Sequence, residues 1–136
     1  MTQHDWFPDS SADADTWSLD AETVAPYPDE LFRALNDRTR RQILFLLFQQ
    51  SAVSVETLVE MINSSRQSDE FQAGLSEQEQ TGTDLEHVHL PLLADVGIVT
   101  YDRIENEVQL EPLATPVEEL IQFAISYERA YRQQSS

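Results

Sequence analysis

Two histidines, His87 and His89, lie two residues apart in a stretch whose apolar residues recur at helical spacing. Imidazole nitrogens bind metal ions and transfer protons, so this pair is the first place to look for chemistry. Residues two apart on a helix point about 200° away from each other, which prevents chelation of one ion unless Pro91 distorts the turn. Because the chain has no cysteine and His4 is its only other histidine, we expect no metal site and no cofactor. Either histidine is equally consistent with a half-buried packing residue.

Arginines form the second group with chemical potential. The basic residues number eight, all are arginines, and Arg38, Arg40 and Arg41 follow Asp37 at the predicted start of a helix. Arginines beside a helix N-terminus bind phosphate groups in many proteins. The alternative is that they neutralise the surrounding acids or pair with Asp37 and the N-terminal tail. Of the three, Arg41 is the one we expect to serve structure.

No arrangement in the sequence is typical of an enzyme. There is no serine, histidine and acid constellation and no phosphate-binding glycine loop, since the chain has only three dispersed glycines. The absence of cysteine also removes disulfides, thiolate metal sites and cysteine nucleophiles. We therefore predict a protein without catalytic activity.

The net charge of −17 comes from 25 acidic residues against eight basic ones, with no lysine. Such a surface repels itself at low salt, whereas at molar salt the Debye length falls to about 3 Å. This composition favours a protein from a salt-accumulating halophile, the alternative being an ordinary acidic protein with a solvated tail. No apolar run approaches the roughly 18 residues of a membrane span, and no signal-peptide pattern opens the chain. We expect a soluble cytoplasmic protein with no membrane partner.

Charge and polarity divide the chain into a tail and one domain. Residues 1–26 form an acidic segment predicted to be disordered, and residues 27–134 form the domain, with a polar surface insertion at 64–82. The tail holds Trp6, Phe7 and Trp17 among its acids. It is either a motif that folds on a protein partner or a solvated segment whose tryptophans dock on the domain.

The order of elements in the domain predicts a fold. Helical spacing indicates helices from Pro28, over 38–50, from a Ser54 cap, and from a Thr83 capping box to Gly97. Pro91 is expected to bend the fourth helix near His87. Two short strand-forming runs at 98–101 and 108–110 form a hairpin, and a last helix covers about 116–132. This layout is mainly α with a small β-hairpin, the winged helix-turn-helix.

The last helix carries an apolar stripe that is either a core-packing face or a dimer face. The stripe consists of Val117, Leu120, Ile121, Ala124, Tyr127 and Tyr131.

Three stretches resemble arsenic-repressor-like winged helix-turn-helix regulators over about residues 29–111. Residues 31–44 contain the Leu-x-Asp-x-Thr-Arg-Arg-x-Ile-Leu run that leads into the central helix of those regulators, and residues 53–58 are similar to their positioning helix. Residues 87–102 resemble their recognition helix and the start of their wing. The His-x-His-Leu-Pro form of that last stretch is more particular to a group of winged-helix proteins of halophilic archaea.

The resemblance implies a transcriptional regulator that binds double-stranded DNA as a homodimer, the terminal helices pairing around a two-fold axis. The start of the fourth helix would then face the major groove, with further contacts from the helix-start arginines and from the wing. The residues so implicated are Thr83, Asp84, Glu86, His87, His89, Arg38, Arg40 and Arg103. For Arg103 the alternative is an ion pair with Asp102 or Glu105.

The acidic face of the fourth helix and the aromatic-acidic tail favour a different class of function. On that interpretation the domain is a winged-helix protein–protein interaction module that does not contact DNA directly.

Overall fold

A computed structural model describes residues 22–67 and 82–135. Most of the predicted tail and most of the predicted polar insertion lie outside these ranges, as do Trp6, Phe7 and Trp17. No helix within the ranges is both long enough and apolar enough to cross a membrane.

The described chain is mostly helical, with a small antiparallel sheet. Its helices are α1 (Pro28–Leu35), α2 (Arg38–Gln50), α3 (Val55–Gln67), α4 (Leu90–Val96) and α5 (Thr115–Ser135). Residues 82–84 are helical and a π-helical turn at Leu85–His89 joins them to α4, so we refer to the whole as the 82–96 helix. The strands are β1 (Ala52–Ser54), β2 (Val99–Asp102) and β3 (Glu107–Leu110). This architecture confirms the predicted fold class and is compatible with a winged helix-turn-helix.

The sheet has one strand more than the predicted hairpin. Its order is β1-β3-β2, with Val53 opposite Val108 and Tyr101 opposite Val108 from the other side. Strand β1 has only three residues and immediately precedes α3, so its sequence shows a helix cap more clearly than a strand. Val53 and Val108 are both buried, and this burial anchors the hairpin to the helices.

Short polar signals set the helix boundaries where the sequence predicts them. The Asp37 side chain accepts from the Arg40 backbone N–H at 3.2 Å, which caps α2, and the Ser54 hydroxyl accepts from Thr57 N–H at 3.1 Å. Gly97 ends the 82–96 helix with φ 96°, a left-handed conformation that strains any residue with a Cβ.

Helix α2 lies at the centre of the domain. Ile43, Leu44 and Leu47 are completely buried, and α2 packs against α1, α3, α5 and the sheet. A helix with apolar residues on several sides belongs between several neighbours, and this one lies between them.

The start of the 82–96 helix differs from the prediction. Gly82 is already helical and Asp84 has φ −62° and ψ −40°, so Thr83 lies inside the helix and is not its N-cap. The capping-box pattern at Thr83 was therefore wrong as a boundary signal. This first turn lies beside α3, since a Cβ built at Gly82 would lie 3.8 Å from Val59 Cγ2, and a local capping motif contains no information about such a neighbour.

Pro91 produces an irregularity near His87, as expected, in the form of a wider turn. The backbone N–H of Leu90 donates to the Leu85 carbonyl five residues earlier, which defines the π turn. Pro91 has no N–H and its ring would clash with the His87 carbonyl in a regular α-helix. The wider turn relieves this conflict, and such turns are frequent at functional sites.

The described chain begins alongside the start of α5. Val24 donates to the Pro112 carbonyl at 2.8 Å and accepts from Ala114 at 2.9 Å, so structure is present before residue 27.

Candidate functional site

The outer face of the 82–96 helix presents the residues predicted to read DNA. Thr83 and His87 are exposed, as is Val88, whereas Asp84 and Glu86 are half-buried. The 82–96 helix contains no lysine or arginine. Its outer face therefore offers a hydroxyl, an imidazole and two carboxylates, groups that suit base edges better than phosphates.

Arg40 is buried and connects three elements. Its Nε donates to the Ala34 carbonyl at 3.0 Å and one terminal nitrogen donates to the Arg33 carbonyl at 2.9 Å, which satisfies the C-terminal end of α1. The other terminal nitrogen lies 3.2 Å from His89 Nδ1. Only 8% of Arg40 is exposed, and burial is the main cause that lowers its pKa. Its guanidinium is thus committed to the protein and is not placed to hold a phosphate.

His89 belongs to this internal cluster rather than to the outer face. Its side chain is 12% exposed and lies 3.9 Å from the Asp37 carboxylate. Its Nδ1 thus lies between the Arg40 guanidinium and the Asp37 carboxylate. Of the two histidines singled out by the sequence, His87 faces solvent and His89 packs.

The β2–β3 hairpin packs against the 82–96 helix, through contacts between β2 and α4. Arg103 is exposed at its tip and stacks over the Tyr101 ring at 5.1 Å, instead of forming the alternative ion pair predicted for it. The Asp102 carboxylate instead accepts from the backbone N–H groups of the turn. Burial raises the pKa of Tyr101, and the negative charge of Glu86 raises it further. The Glu86 charge therefore acts on the hairpin.

A second feature, absent from the sequence prediction, is a basic groove between α2 and α5. We call it the arginine groove; its volume is about 300 Å³. It is lined by Arg38, Arg41, Gln42, Phe45, Ser65, Ile125, Glu128, Arg129 and Arg132. Arg38, predicted to bind DNA, lies here, on a side of α2 different from that of Arg40. One sequence signal could have revealed the groove. Glu128 and Arg132 are four residues apart on α5, with Arg129 beside them, and this spacing allows an acid and an arginine of one helix to pair.

Glu128 holds the groove together. Its carboxylate accepts from Arg41 Nε at 2.5 Å and from Arg132 Nε at 3.3 Å, and Arg41 also donates to the Leu35 carbonyl. Burial raises the pKa of the Glu128 carboxyl, but the hydrogen bonds and charges of Arg41 and Arg132 outweigh it and hold the pKa below its usual value. Arg41 therefore has the structural role expected of it.

The α5 stripe divides between core and surface. Val117 and Ile121 are buried within this chain, and Leu120 and Ala124 are half-buried. Tyr127 and Tyr131 are 64% and 60% exposed with ring centroids 6.3 Å apart. The N-terminal half of the stripe thus packs the domain, and its last two residues lie on the surface.

Phe123, which the sequence analysis did not single out, joins these tyrosines at 69% exposure. Positions 123, 127 and 131 are four residues apart and share one face of α5. We refer to Phe123, Tyr127 and Tyr131 as the aromatic face.

No group of three or more histidine, aspartate or glutamate side chains within residues 22–67 and 82–135 is arranged to hold a metal ion. The comparison with protein families gives one match, the domain of unknown function DUF7344, over residues 32–109. That match covers more than half of the chain. The chain belongs to the DUF7344 family. No curated protein and no solved structure matches it.

The DUF7344 match begins within α1, at residue 32, and ends within β3, at residue 109. It includes the 82–96 helix, the hairpin and the Arg40–His89 contact. It leaves out α5, and with it one wall of the arginine groove and the aromatic face.

Proposed function

We propose that this protein is a DNA-binding transcriptional regulator that places the 82–96 helix in the major groove. The observation that carries the proposal is the 82–96 helix, with Thr83 and His87 exposed on it, packed through α4 against the β2–β3 hairpin that carries the exposed Arg103. A helix supported by a preceding helix and flanked by a β-hairpin is the arrangement in which winged helices bind DNA. The resemblance of residues 31–44, 53–58 and 87–102 to arsenic-repressor-like regulators supports the same function.

Each exposed group has a chemistry suited to this surface. The Thr83 hydroxyl and the His87 imidazole donate or accept at base edges, and a carboxylate such as Glu86 accepts from cytosine N4. Arg103, at the hairpin tip, suits a phosphate or the adjacent minor groove. Arg40 and His89 hold the helix against α1 and are positioning residues in this scheme.

The negative charge of the chain is compatible with DNA binding at high salt. Counterion release, which drives most DNA binding at low salt, contributes little at molar salt. The repulsion between acidic side chains and phosphates is screened under the same conditions. Affinity would then depend on base contacts, groove shape and the spacing of two subunits.

A homodimer completes the proposal, because one winged helix reads few base pairs. The aromatic face of α5 is the surface we assign to the dimer contact. We expect the variant Tyr127→Ala/Tyr131→Ala to sediment as a monomer in molar potassium chloride, with unchanged helical content. A wild-type protein that is monomeric at working concentrations would remove the dimer from the proposal.

The test of DNA binding is selection of genomic fragments in molar potassium chloride, followed by affinity measurements on the selected sequence. His87→Ala and Thr83→Ala should each weaken binding by about tenfold, the worth of one good base contact. Gln122→Ala, also at an exposed position on a helix, is the matched control and should leave the affinity unchanged. Binding that is equal for all sequences and insensitive to His87 would contradict the proposal.

A second candidate function is protein–protein interaction through the same surface, favoured by its two carboxylates and by the absence of lysine and arginine from the 82–96 helix. In that case Asp84→Asn and Glu86→Gln would abolish binding of a captured partner, and DNA selection would yield no preferred sequence.

A further inference from the structure

The arginine groove concentrates positive charge on an acidic protein. Arg38, Arg41, Arg129 and Arg132 line it, which is half of all arginines in a chain of net charge −17. Glu128 is the only acid among the lining residues, so the groove carries three net positive charges. Its volume of about 300 Å³ is at the lower end of the range for ligand pockets.

The groove also has an apolar part. Phe45 and Ile125 line it beside the arginines, and the Arg129 guanidinium stacks over the Phe45 ring at 4.9 Å. Phe45 is only half-buried. An occupant that fits this surface carries several negative charges and at least one large apolar ring.

The N-terminal segment of the same chain, residues 1–21, has this composition. It contains five aspartates, no lysine or arginine, and the aromatic residues Trp6, Phe7 and Trp17. Its charge is therefore complementary to that of the groove, and its aromatic rings match the apolar part.

The segment is also long enough to reach the groove. It joins the described chain at Glu22, next to Val24, which is hydrogen-bonded to Pro112 and Ala114 just before α5 begins. At 1.5 Å per helical residue, Ile125 and Arg132 lie roughly 15 and 26 Å along α5 from its start. A 21-residue segment spans up to about 70 Å when extended.

We propose that the arginine groove binds the chain's own N-terminal segment, with aspartates against Arg129 and Arg132 and a tryptophan ring against Phe45 and Ile125. Covalent linkage gives the segment an effective concentration in the millimolar range, so weak contacts suffice for binding. Salt screens the ionic contacts but not the apolar one, so binding weakens at molar salt without disappearing. This proposal does not depend on DNA binding.

The chain offers a direct probe for the test. Trp6 and Trp17 are its only tryptophans, so intrinsic tryptophan fluorescence of the full-length protein reports on the N-terminal segment alone. Acrylamide is a suitable quencher because it is neutral, and its access to the rings is not altered by a change in protein charge.

The variant Arg129→Glu/Arg132→Glu replaces two exposed groove arginines. We expect a red-shifted emission maximum and an acrylamide quenching constant at least twofold higher than that of wild type. Arg33→Glu/Arg103→Glu makes the same change in net charge at exposed positions outside the groove and should quench like wild type. Far-UV circular dichroism verifies that both double variants retain their helices.

Three results would overturn the proposal. One is a wild-type quenching constant equal to that of a synthetic peptide of residues 1–21, which would mean that the groove does not cover the tryptophans. A second is equal quenching of wild type and the groove variant, which would place the tryptophans on another surface. Protection that appears only as protein concentration rises would also overturn it, because the occupant would then be the segment of a second copy.

Discussion

The 82–96 helix is acidic, whereas the arginine groove is basic. This is the opposite of the charge distribution expected for a protein that binds DNA through that helix. The proposed DNA-reading surface has Asp84 and Glu86 on the helix, with Arg103 as its only base. The arginine groove collects four arginines on another side of α2. If phosphate attraction decided which surface binds DNA, the groove would be the better candidate.

The geometry of the two regions gives a different answer. The reading surface is a helix flanked by a hairpin with exposed groups of varied hydrogen-bonding chemistry, whereas the groove is a recess between two helices whose central acid is already paired. A recess of this kind suits an extended or small anionic ligand better than a duplex about 20 Å wide. Arg40, Arg41 and Arg132 are all paired within the chain, so the positions of its basic residues do not by themselves mark a nucleic-acid surface.

Substitution of Arg40, which belongs to neither surface, is expected to cause the largest loss of stability. Arg40→Met removes donors from the Arg33 and Ala34 carbonyls and from His89, so we expect a loss of about 2–4 kcal/mol in the free energy of unfolding. The measurement is chemical unfolding in molar potassium chloride. Arg33→Met is the matched control, since the Arg33 side chain is 61% exposed, and should change stability by less than about 0.5 kcal/mol. Equal stability of both variants would contradict the structural role described for Arg40.

The next largest loss of stability is expected at Glu128, the acid that pairs with two arginines of the groove. Glu128→Gln keeps the shape of the side chain but loses the charged hydrogen bonds to Arg41 and Arg132, and we expect a loss of about 1.5–2 kcal/mol at neutral pH. Because the pKa of Glu128 is lowered in the folded protein, its contribution is present above the ordinary value of 4.5 and is lost as the pH falls through the folded value. The stability difference between wild type and Glu128→Gln should therefore be constant from pH 6 to 8 and shrink below 4.5.

Glu118→Gln, at an exposed position on the same helix, provides the reference for the general effect of acid. A difference between wild type and Glu128→Gln that is unchanged down to pH 3 would contradict the ion pairing described for the groove.

The fold was predictable because local and periodic signals agree with the packing. Helix α2 begins at residue 38 as predicted and is capped by Asp37, Ser54 caps the helix it was expected to cap, Gly97 ends the 82–96 helix, and the apolar residues of α2 lie at the centre. The signal that misled is a short local motif. Thr83 has the pattern of a capping box, yet residue 82 is already helical and lies beside α3.

The site was less predictable because side-chain direction decides it. Arg38, Arg40 and Arg41 are almost adjacent in sequence, yet helical geometry sends Arg40 toward His89 and the other two toward the groove. The partners that distinguish them, His89 and Glu128, are 49 and 87 residues away along the chain. Sequence spacing identifies such a cluster but contains no signal for contacts at that separation.

The smallest expected effect is on the salt dependence of DNA affinity, which measures how many phosphates the proposed DNA contact neutralises. The logarithm of affinity falls with the logarithm of salt concentration by about 0.9 for each phosphate neutralised. A homodimer with few basic residues on its reading surface should give a slope of only about −2 to −4, and Arg103→Gln should reduce its magnitude by about 2, one phosphate per subunit. Arg129→Gln makes the same chemical change in the arginine groove and should leave the slope unchanged. If Arg129→Gln lowered the slope and Arg103→Gln did not, the assignment of the two surfaces would be reversed, since the groove would then be the region that meets phosphate.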